Sequence, residues 1–259
     1  MEARNIVDLE FMRRATAIRI GRLYYPANLV ENILARYAKQ IFVITDYNEF
    51  PYCLRGSGSA IRNGDDCFVF CCGHQFPDYN PDKIVIPSEL EKGFLLSASF
   101  MRSPQVSEEN KDEEYIDIRA LNFNHLDYGD RSISSEFFPL DLKDMWPNNT
   151  LNHFIIIGFP STLQLVDYEA EIRSRSVIIG GSYGGGSNAD YLHYLTMQRI
   201  SNFDADGYSG APVFHVGRVG LSYFIGFAGV VVRGSRLSDL LNFISAEYIS
   251  NFFTPDIST

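Results

Sequence analysis

The sequence lacks the features that place a protein in a membrane or outside the cell. Its 259 residues contain no uninterrupted apolar run of 18 or more, so no segment has the length and hydrophobicity of an ordinary transmembrane helix. The first twenty residues include acidic side chains and no long apolar stretch, which is untypical of a secretory signal. We therefore expect a cytoplasmic protein with no membrane partner.

Cysteine and positive charge are both scarce. The four cysteines are Cys53, Cys67, Cys71 and Cys72, and their spacing fits neither a disulfide framework nor a paired C-x-x-C metal site. Basic residues number 22 against 32 acidic ones, which gives a formal net charge of -10. Since such a surface repels phosphate backbones, we expect no nucleic-acid partner. We expect neither a metal nor a cofactor.

Short β-rich runs, separated by Gly, Pro, Asn and Asp, fill the chain from about residue 41. Without long helices between them, such runs are typical of an all-β sandwich or barrel. Helical spacing is confined to residues 28–40 and 235–253. We predict a helical extension over residues 1–40, which packs on the body or meets a regulatory partner, and a C-terminal helix over residues 236–253. The glycine-rich residues 180–188 are predicted to form a loop.

Two polar residues stand beside strongly apolar runs. His74 follows the run 67–72 and a glycine, which places it at the end of a strand, where it could serve a cleft or be merely structural. Asp117 lies in the alternating run 115–121, where a buried carboxylate needs a partner such as an imidazole N–H. The alternative for Asp117 is an edge-strand acid that faces water.

The segment 204–214, DADGYSGAPVF, carries the strongest chemical signal. Its Gly-x-Ser-Gly-x-Pro pattern predicts a tight turn that exposes Ser209 just before a strand. A nucleophilic serine needs such a turn, with main-chain N–H groups beside it to hold the oxyanion of a tetrahedral intermediate. Gly207 and Ser209 would supply those groups, and a side chain at Gly207 would crowd the site.

Taken together, the three segments resemble the trypsin-like (chymotrypsin-fold, PA clan) serine peptidases, and among them the stand-alone cytosolic members of bacteria. The order His, Asp, Ser is that of the family, with Asp117 following His74 by 43 residues and Ser209 following Asp117 by 92. The resemblance runs from about residue 54 to 234. It implies two stacked six-stranded antiparallel β-barrels within residues 41–259, with their boundary near residues 130–152.

The resemblance also implies an activity. The protein would be a serine endopeptidase in which His74, Asp117 and Ser209 form a catalytic triad and Ser209 forms an acyl-enzyme intermediate. The main-chain N–H groups of Gly207 and Ser209 would form the oxyanion hole. Its partners would be protein or peptide substrates. The alternative is a catalytically weak or inactive module that keeps the fold and binds extended peptides or a protein partner.

Substrate recognition is implied at two places. An extended substrate would pair with the strand that contains Val232, Arg233 and Gly234. The base of the specificity pocket would lie near Phe203 and Asp204. Phe203 favours small side chains and Asp204 favours Lys or Arg, and the sequence does not choose between them.

Two residues depart from the family pattern. Tyr208 stands where members that are activated by N-terminal cleavage have an acid, so activation by cleavage is not expected here. Arg119 follows Asp117 by two residues, and strand alternation puts both side chains on one face. Arg119 is therefore a possible competitor of His74 for the Asp117 carboxylate.

Overall fold

The computed structural model of the chain describes residues 17–76, 80–88, 95–104, 117–124, 127–128, 131–147, 153–167, 171–173, 176–187, 189–197, 205–234 and 239–253. The elements of the first half are β1 (Ala17–Ile20), β2 (Leu23–Pro26), α1 (Val30–Ala35), β3 (Ala38–Ile44), β4 (Tyr52–Asn63), β5 (Asp66–Cys72), β6 (Ile84–Pro87), β7 (Leu95–Ser97), β8 (Phe100–Arg102), β9 (Ile118–Asn122), β10 (Asp127–Tyr128), β11 (Arg131–Ser132) and β12 (Phe138–Pro139).

The second half continues the strand-rich pattern. Its elements are β13 (His153–Gly158), β14 (Leu165–Asp167), β15 (Glu171–Arg173), β16 (Val177–Gly186), β17 (Leu192–Met197), β18 (Pro212–Val219), β19 (Ser222–Gly234), β20 (Leu240–Ser245) and α2 (Ala246–Ser250). Short 3-10 turns cover Ala27–Leu29, Gly73–Gln75, Pro81–Lys83, Ile133–Glu136, Ser161–Leu163 and Asn251–Phe253. Neither α-helix of the described residues approaches the length needed to cross a membrane.

Two curved sheets account for most of the strands. In the second sheet the order β18-β13-β16-β17-β20-β19 closes on itself through a pairing of β18 with β19, which gives a six-stranded antiparallel barrel. The first sheet has the order β7-β6-β3-β4-β5-β9-β8, and its pairings among the described residues leave it open as a half-barrel, with β12 added along β4. The prediction of an all-β, two-barrel architecture is confirmed.

Strand alternation explains how the core is divided. In β5, the side chains that point into the first sheet are Cys67, Val69 and Cys71, and those that point toward the second sheet are Phe68, Phe70 and Cys72. In β13, Phe154 and Ile156 fill the second barrel, whereas Ile155 and Ile157 join the layer between the sheets. Because successive strand residues face opposite sides, each central strand serves an internal core and the shared layer.

The helical predictions at both ends are corrected in part. Within residues 28–40, α1 covers only Val30–Ala35, and β3 begins at Ala38. Residues 17–26 contribute strands instead of helix: β1 runs parallel to β19 and pairs antiparallel with β2. This part of the extension packs on the body, since Ile18, Ile20 and Val30 are buried in the layer between the sheets.

At the C-terminus, the sequence predicts a helix over residues 236–253, but the described part of this range, residues 239–253, is mostly strand and turn. Residues 240–245 form β20, which pairs with both β17 and β19 and closes the second barrel. Helix remains only in α2. Within the glycine-rich segment predicted as a loop over residues 180–188, residues 180–186 are strand instead, because β16 continues through Gly186. The division of the chain into domains at residue 40 stays a prediction.

Candidate active site

His74 lies in the 3-10 turn Gly73–Gln75, directly after the buried end of β5. Gly73 lets the chain leave the strand here, since a Cβ at this position would lie 3.0 Å from the Arg119 guanidinium carbon and 3.2 Å from the Asp117 main-chain oxygen. The His74 side chain is 53% exposed. His74 therefore lies at the end of a strand, as the sequence predicts, and its side chain is partly open to solvent.

Asp117 is brought to His74 by strand pairing. It immediately precedes β9, which runs antiparallel to β5 with Ile118 opposite Cys72. One carboxylate oxygen, Oδ2, lies 2.6 Å from Nδ1 of His74, and the other, Oδ1, accepts a 2.8 Å hydrogen bond from the His74 main-chain N–H. The carboxylate therefore orients both the ring and the backbone of His74.

Opposing influences set the pKa of the Asp117 carboxyl. Burial is the largest and raises its pKa, but the ring and main-chain hydrogen bonds of His74 and its charge, followed by the charge of Arg119, lower the pKa more. The net pKa of Asp117 lies below its ordinary value. An ionised Asp117 favours a proton on Nδ1 of His74, which leaves Nε2 free to accept one.

Arg119 does not displace His74 from Asp117. Its Nη1 donates a 3.0 Å hydrogen bond to the main-chain oxygen of Ile118, while both Asp117 oxygens are engaged by His74. Arg119 acts on Asp117 through its charge, which is the smallest of the influences on that pKa.

Ser209 sits in a tight turn between residues 205 and 211. The N–H of Tyr208 donates to the Ala205 oxygen at 3.1 Å, and the N–H of Ala211 donates to the Tyr208 oxygen at 2.8 Å. Gly207 and Gly210 have φ values of +89° and +83°. A Cβ at Gly207 would overlap the Phe159 main-chain oxygen, so this position requires glycine for space as well as for conformation.

Hydrogen bonds connect the Ser209 turn to the first sheet. The Ser57 N–H donates to the Ser209 oxygen at 3.2 Å, and the Ser57 hydroxyl donates to the Gly207 oxygen at 2.6 Å. Gln75, the neighbour of His74, also donates to the Ser209 oxygen, at 3.1 Å. The structure thus brings the backbone of Ser209 against the turn that carries His74.

Two main-chain donors in the turn have no acceptor among the described residues. The N–H groups of Tyr208 and Gly210 donate to the oxygens of Ala205 and Val231. In contrast, the N–H groups of Gly207 and Ser209 donate no hydrogen bond to any residue that the structure describes. These are the two donors that the sequence assigned to an oxyanion.

Tyr208 fills the interior beside the turn. Its side chain is 2% exposed and packs on Gly158, where a Cβ would lie 2.5 Å from the Tyr208 ring. Burial raises the pKa of the Tyr208 phenol. The turn is therefore supported by a neutral aromatic group at the position where cleavage-activated family members have an acid.

The proposed substrate strand lies at the end of β19. Pairing with β18 ends at Val230, whereas pairing with β20 continues to Gly234. Val232 is buried, and Arg233 and Gly234 are exposed. Ala205 packs directly on Gly234, since a Cβ at Gly234 would overlap the Ala205 Cβ.

The two pocket-base residues, Phe203 and Asp204, lie outside the described residues.

Cys72 forms a cluster with the His–Asp pair. The thiol sulfur, a His74 ring nitrogen and an Asp117 oxygen lie within 4.8 Å of one another. Burial, and next the charge of Asp117, hold the pKa of the Cys72 thiol well above its ordinary value. Metals bind the thiolate, and both Asp117 oxygens already accept hydrogen bonds, so the chemistry of this donor set does not favour a metal.

The sequence reasoning assigned no role to two residues that contact the Ser209 turn. Ser57 and Gln75 are 0% and 5% exposed, and both hold the Ser209 turn. For Ser57, the only sequence signal is a polar residue in a run of small residues between two glycines. Gln75 has a similarly weak signal, an amide inside an otherwise apolar stretch.

Comparison with known proteins extends this description. No family model matches the chain, and no curated protein matches it in sequence. Among solved structures, the chain is similar to the scabies mite inactivated protease paralogue S-I1, with a TM-score of 0.53 at 15% identity over 85% of this chain and 93% of that one. It is also similar to the thermostable serine protease AL20 from an extremophilic microorganism, with a TM-score of 0.53 at 12% identity over 85% of this chain and 95% of that one. The chain therefore has the trypsin-like serine protease fold.

Proposed function

We propose that the protein is a serine endopeptidase that uses His74, Asp117 and Ser209. The observation that carries this proposal is the two-point contact of Asp117 with His74, on a turn that is hydrogen-bonded to the backbone of Ser209. A solvent-exposed histidine without a chemical role has no need of an ionised carboxylate on its ring and backbone together. Such an arrangement serves a base that must keep one tautomer and one orientation.

The chemistry follows from these positions. The Ser209 hydroxyl oxygen attacks a peptide carbonyl while Nε2 of His74 takes the hydroxyl proton. The N–H groups of Gly207 and Ser209 hold the carbonyl oxygen as it becomes negative. His74 then returns the proton to the leaving amine, the C–N bond breaks, and an acyl-enzyme remains. Water, deprotonated by His74, releases the acid and restores Ser209.

A peptide substrate would bind by strand addition at the end of β19, which β18 leaves unpaired beyond Val230. An extended peptide beside residues 232–234 would continue the sheet where the pairing with β18 has ended. With the scissile carbonyl at the Ser209 turn, the preceding side chain of the substrate points between that turn and the end of β19. Ala205 packs on Gly234 in this gap. We therefore propose that the enzyme prefers glycine or alanine at this position of the substrate.

We propose a reducing, cytoplasmic location, with no nucleic-acid or membrane partner. All four cysteines are free thiols, including the adjacent pair Cys71 and Cys72. This state supports a compartment that keeps thiols reduced.

A binding module without activity is the second candidate. One of the similar structures is described as an inactivated paralogue, so the fold alone does not carry the activity. What favours the enzyme is the presence of His74, Asp117 and Ser209, with His74 held by Asp117, together with the N–H groups of Gly207 and Ser209, which have no acceptor among the described residues.

Peptide hydrolysis by the wild type and by Ser209→Ala tests the proposal. Peptides that differ only in the residue before the scissile bond (Gly, Ala, Leu, Phe or Arg) are incubated with each protein, and products are identified by mass spectrometry. We expect the wild type alone to cleave, with Gly or Ala preferred over Leu by at least about tenfold. Cleavage by Ser209→Ala would overturn the assignment. A preference for Arg would assign the pocket to Asp204 instead.

A further inference from the structure

Gln75, the residue after His74, carries an unusually well-connected side chain. It is 5% exposed, and its Oε1 accepts a 2.7 Å hydrogen bond from the Cys72 N–H at the end of β5. Its Nε2 donates to the main-chain oxygens of Ser57 and Ser209, each at 3.1 Å, and to that of Arg55 at 3.3 Å. A single carboxamide therefore joins β5, β4 and the Ser209 turn.

The surroundings of this carboxamide leave little freedom. Gly56 has a φ of +132°, and a Cβ there would lie 2.5 Å from the Gln75 Nε2. The Ser209 oxygen accepts from the Ser57 N–H as well as from Gln75, so it is held from two directions. Two amide hydrogens serve three carbonyl oxygens, and a side chain of another length or chemistry cannot satisfy all of them.

We propose that Gln75 is a positioning residue that holds the Ser209 turn in register with His74. It touches neither the substrate nor a reacting atom. It acts by fixing the Ser209 carbonyl, and with it the path of the turn, from the same 3-10 turn that carries His74. This inference rests on the proposed function, because register between the two residues matters only if Ser209 passes its proton to His74.

A purely structural role for Gln75 makes a different prediction. If the carboxamide only stabilises the fold, its loss lowers the melting temperature, but each molecule that remains folded reacts as fast as the wild type. If it positions Ser209, the folded molecules themselves react more slowly, because small misplacements of reacting groups cost about 10²-fold in rate. The rate per folded molecule therefore separates the two roles.

The first experiment compares Gln75→Met with Gln40→Met. Gln40 is a matched control, since it is also a buried glutamine of the first sheet, 6% exposed, with a 3.4 Å hydrogen bond to Gln164. The readout is the second-order rate of labelling by a fluorophosphonate, below the melting temperature of each variant. We expect Gln75→Met to label roughly 10- to 100-fold more slowly than the wild type, and Gln40→Met to label at the wild-type rate. Equal rates for Gln75→Met and the wild type would overturn the proposal.

Amide hydrogen exchange at Ser57 provides a readout that needs no activity. Its N–H donates to the oxygen that Gln75 fixes. We expect Gln75→Met to speed exchange at Ser57 at least about tenfold while leaving the buried amide of Val69 in β5 unchanged, as expected of a local opening. If the wild type is not labelled at all, the proposed function fails, and this measurement alone decides whether Gln75 holds the turn. Unchanged exchange at Ser57 would then reject the inference.

Should Gln75→Met fail to fold, Gln75→Glu replaces it. This variant keeps the shape and the acceptor for Cys72 but turns acidic oxygens toward the three carbonyl oxygens. Burial and those oxygens raise the pKa of a carboxyl at this position, so its folded form is destabilised as the pH rises above about 4.3. We expect its melting temperature to fall between about pH 4 and 7 relative to the wild type. If the melting temperatures of Gln75→Glu and the wild type change in parallel with pH, the hydrogen-bond donor of Gln75 is not needed. We also expect its labelling rate per folded molecule at pH 7 to be roughly 10- to 100-fold below that of the wild type. A labelling rate equal to that of the wild type would overturn the proposal.

Discussion

Asp117 holds His74 at two points with its two carboxylate oxygens, one 2.6 Å from the ring Nδ1 and the other 2.8 Å from the main-chain nitrogen. The ring can neither flip nor shift along the chain without breaking one of these contacts. Because Asp117 immediately precedes β9 and His74 follows β5, the pairing of two central strands builds this relationship into the fold. Both the turnover and the acid stability of the protein should depend on this pair.

Asp117→Asn is expected to lower the turnover of a peptide substrate by about 10⁴, by analogy with the same change in the triad of a well-studied serine protease. The amide keeps the shape of the carboxylate but offers no charge, and its NH₂ favours the wrong tautomer of His74. Steady-state kinetics with the preferred peptide measures the effect. A loss smaller than about tenfold would mean that another acid orients His74.

The same pair makes stability depend on pH in the acid range. The pKa of Asp117 is lowered in the folded protein, so its contribution to stability is complete above the unfolded pKa of about 3.9 and is lost as the pH falls through the folded value. The free energy of unfolding of the wild type should therefore approach that of Asp117→Asn as the pH falls below about 4. Urea titrations at several pH values measure this difference. A gap that stays constant or widens as the pH falls would contradict the assignment.

Gly207→Ala is expected to abolish labelling of Ser209 and to destabilise the protein. The position has a φ of +89°, and a Cβ would overlap the Phe159 oxygen. Gly64→Ala is the matched control, because Gly64 has a φ of +60° but a Cβ there would meet no atom within 4 Å. The control should cost only about 1–2 kcal/mol and retain the activity. Thermal melting and labelling test both, and an active Gly207→Ala would remove the oxyanion role.

Tyr208→Asp is expected to destabilise the protein and to stop hydrolysis. Tyr208 is 2% exposed, and a carboxylate in its place would be buried among apolar groups at a cost of several kcal/mol. Tyr24→Asp, at an exposed tyrosine of β2, serves as the control and should behave as the wild type. Circular dichroism and peptide hydrolysis are the measurements. A folded, active Tyr208→Asp would show that the turn does not depend on the aromatic packing.

The three residues proposed as a triad stand out in the sequence because each lies in a segment with a local signal. Ser209 stands between two glycines, His74 follows an apolar strand, and Asp117 is a charge in an apolar run. Strand pairing then brings the His74 and Asp117 segments together. Their order along the chain was enough to predict the fold, which the structure confirms.

Other features depend on tertiary context and leave no local signal. Leu240, Leu241, Phe243 and Ile244 fit a helical spacing as well as a buried strand, and only the gap between β17 and β19 makes them strand. In β16, Gly184 and Gly185 leave room for the ring of Tyr194 on the neighbouring strand, so glycines that suggest a loop belong to a sheet. Gln75 acts on oxygens 18 and 134 residues away, at Ser57 and Ser209. No periodicity reveals such partners.

The most direct measurement is the labelling of the uncleaved protein by a fluorophosphonate, with Ser209→Ala beside it. The proposed triad and oxyanion site predict stoichiometric labelling of the wild type on Ser209, without N-terminal cleavage and without any labelling of Ser209→Ala. If the folded wild type shows no more labelling than Ser209→Ala, the serine is not activated. The protein would then be a binding module that keeps the protease fold.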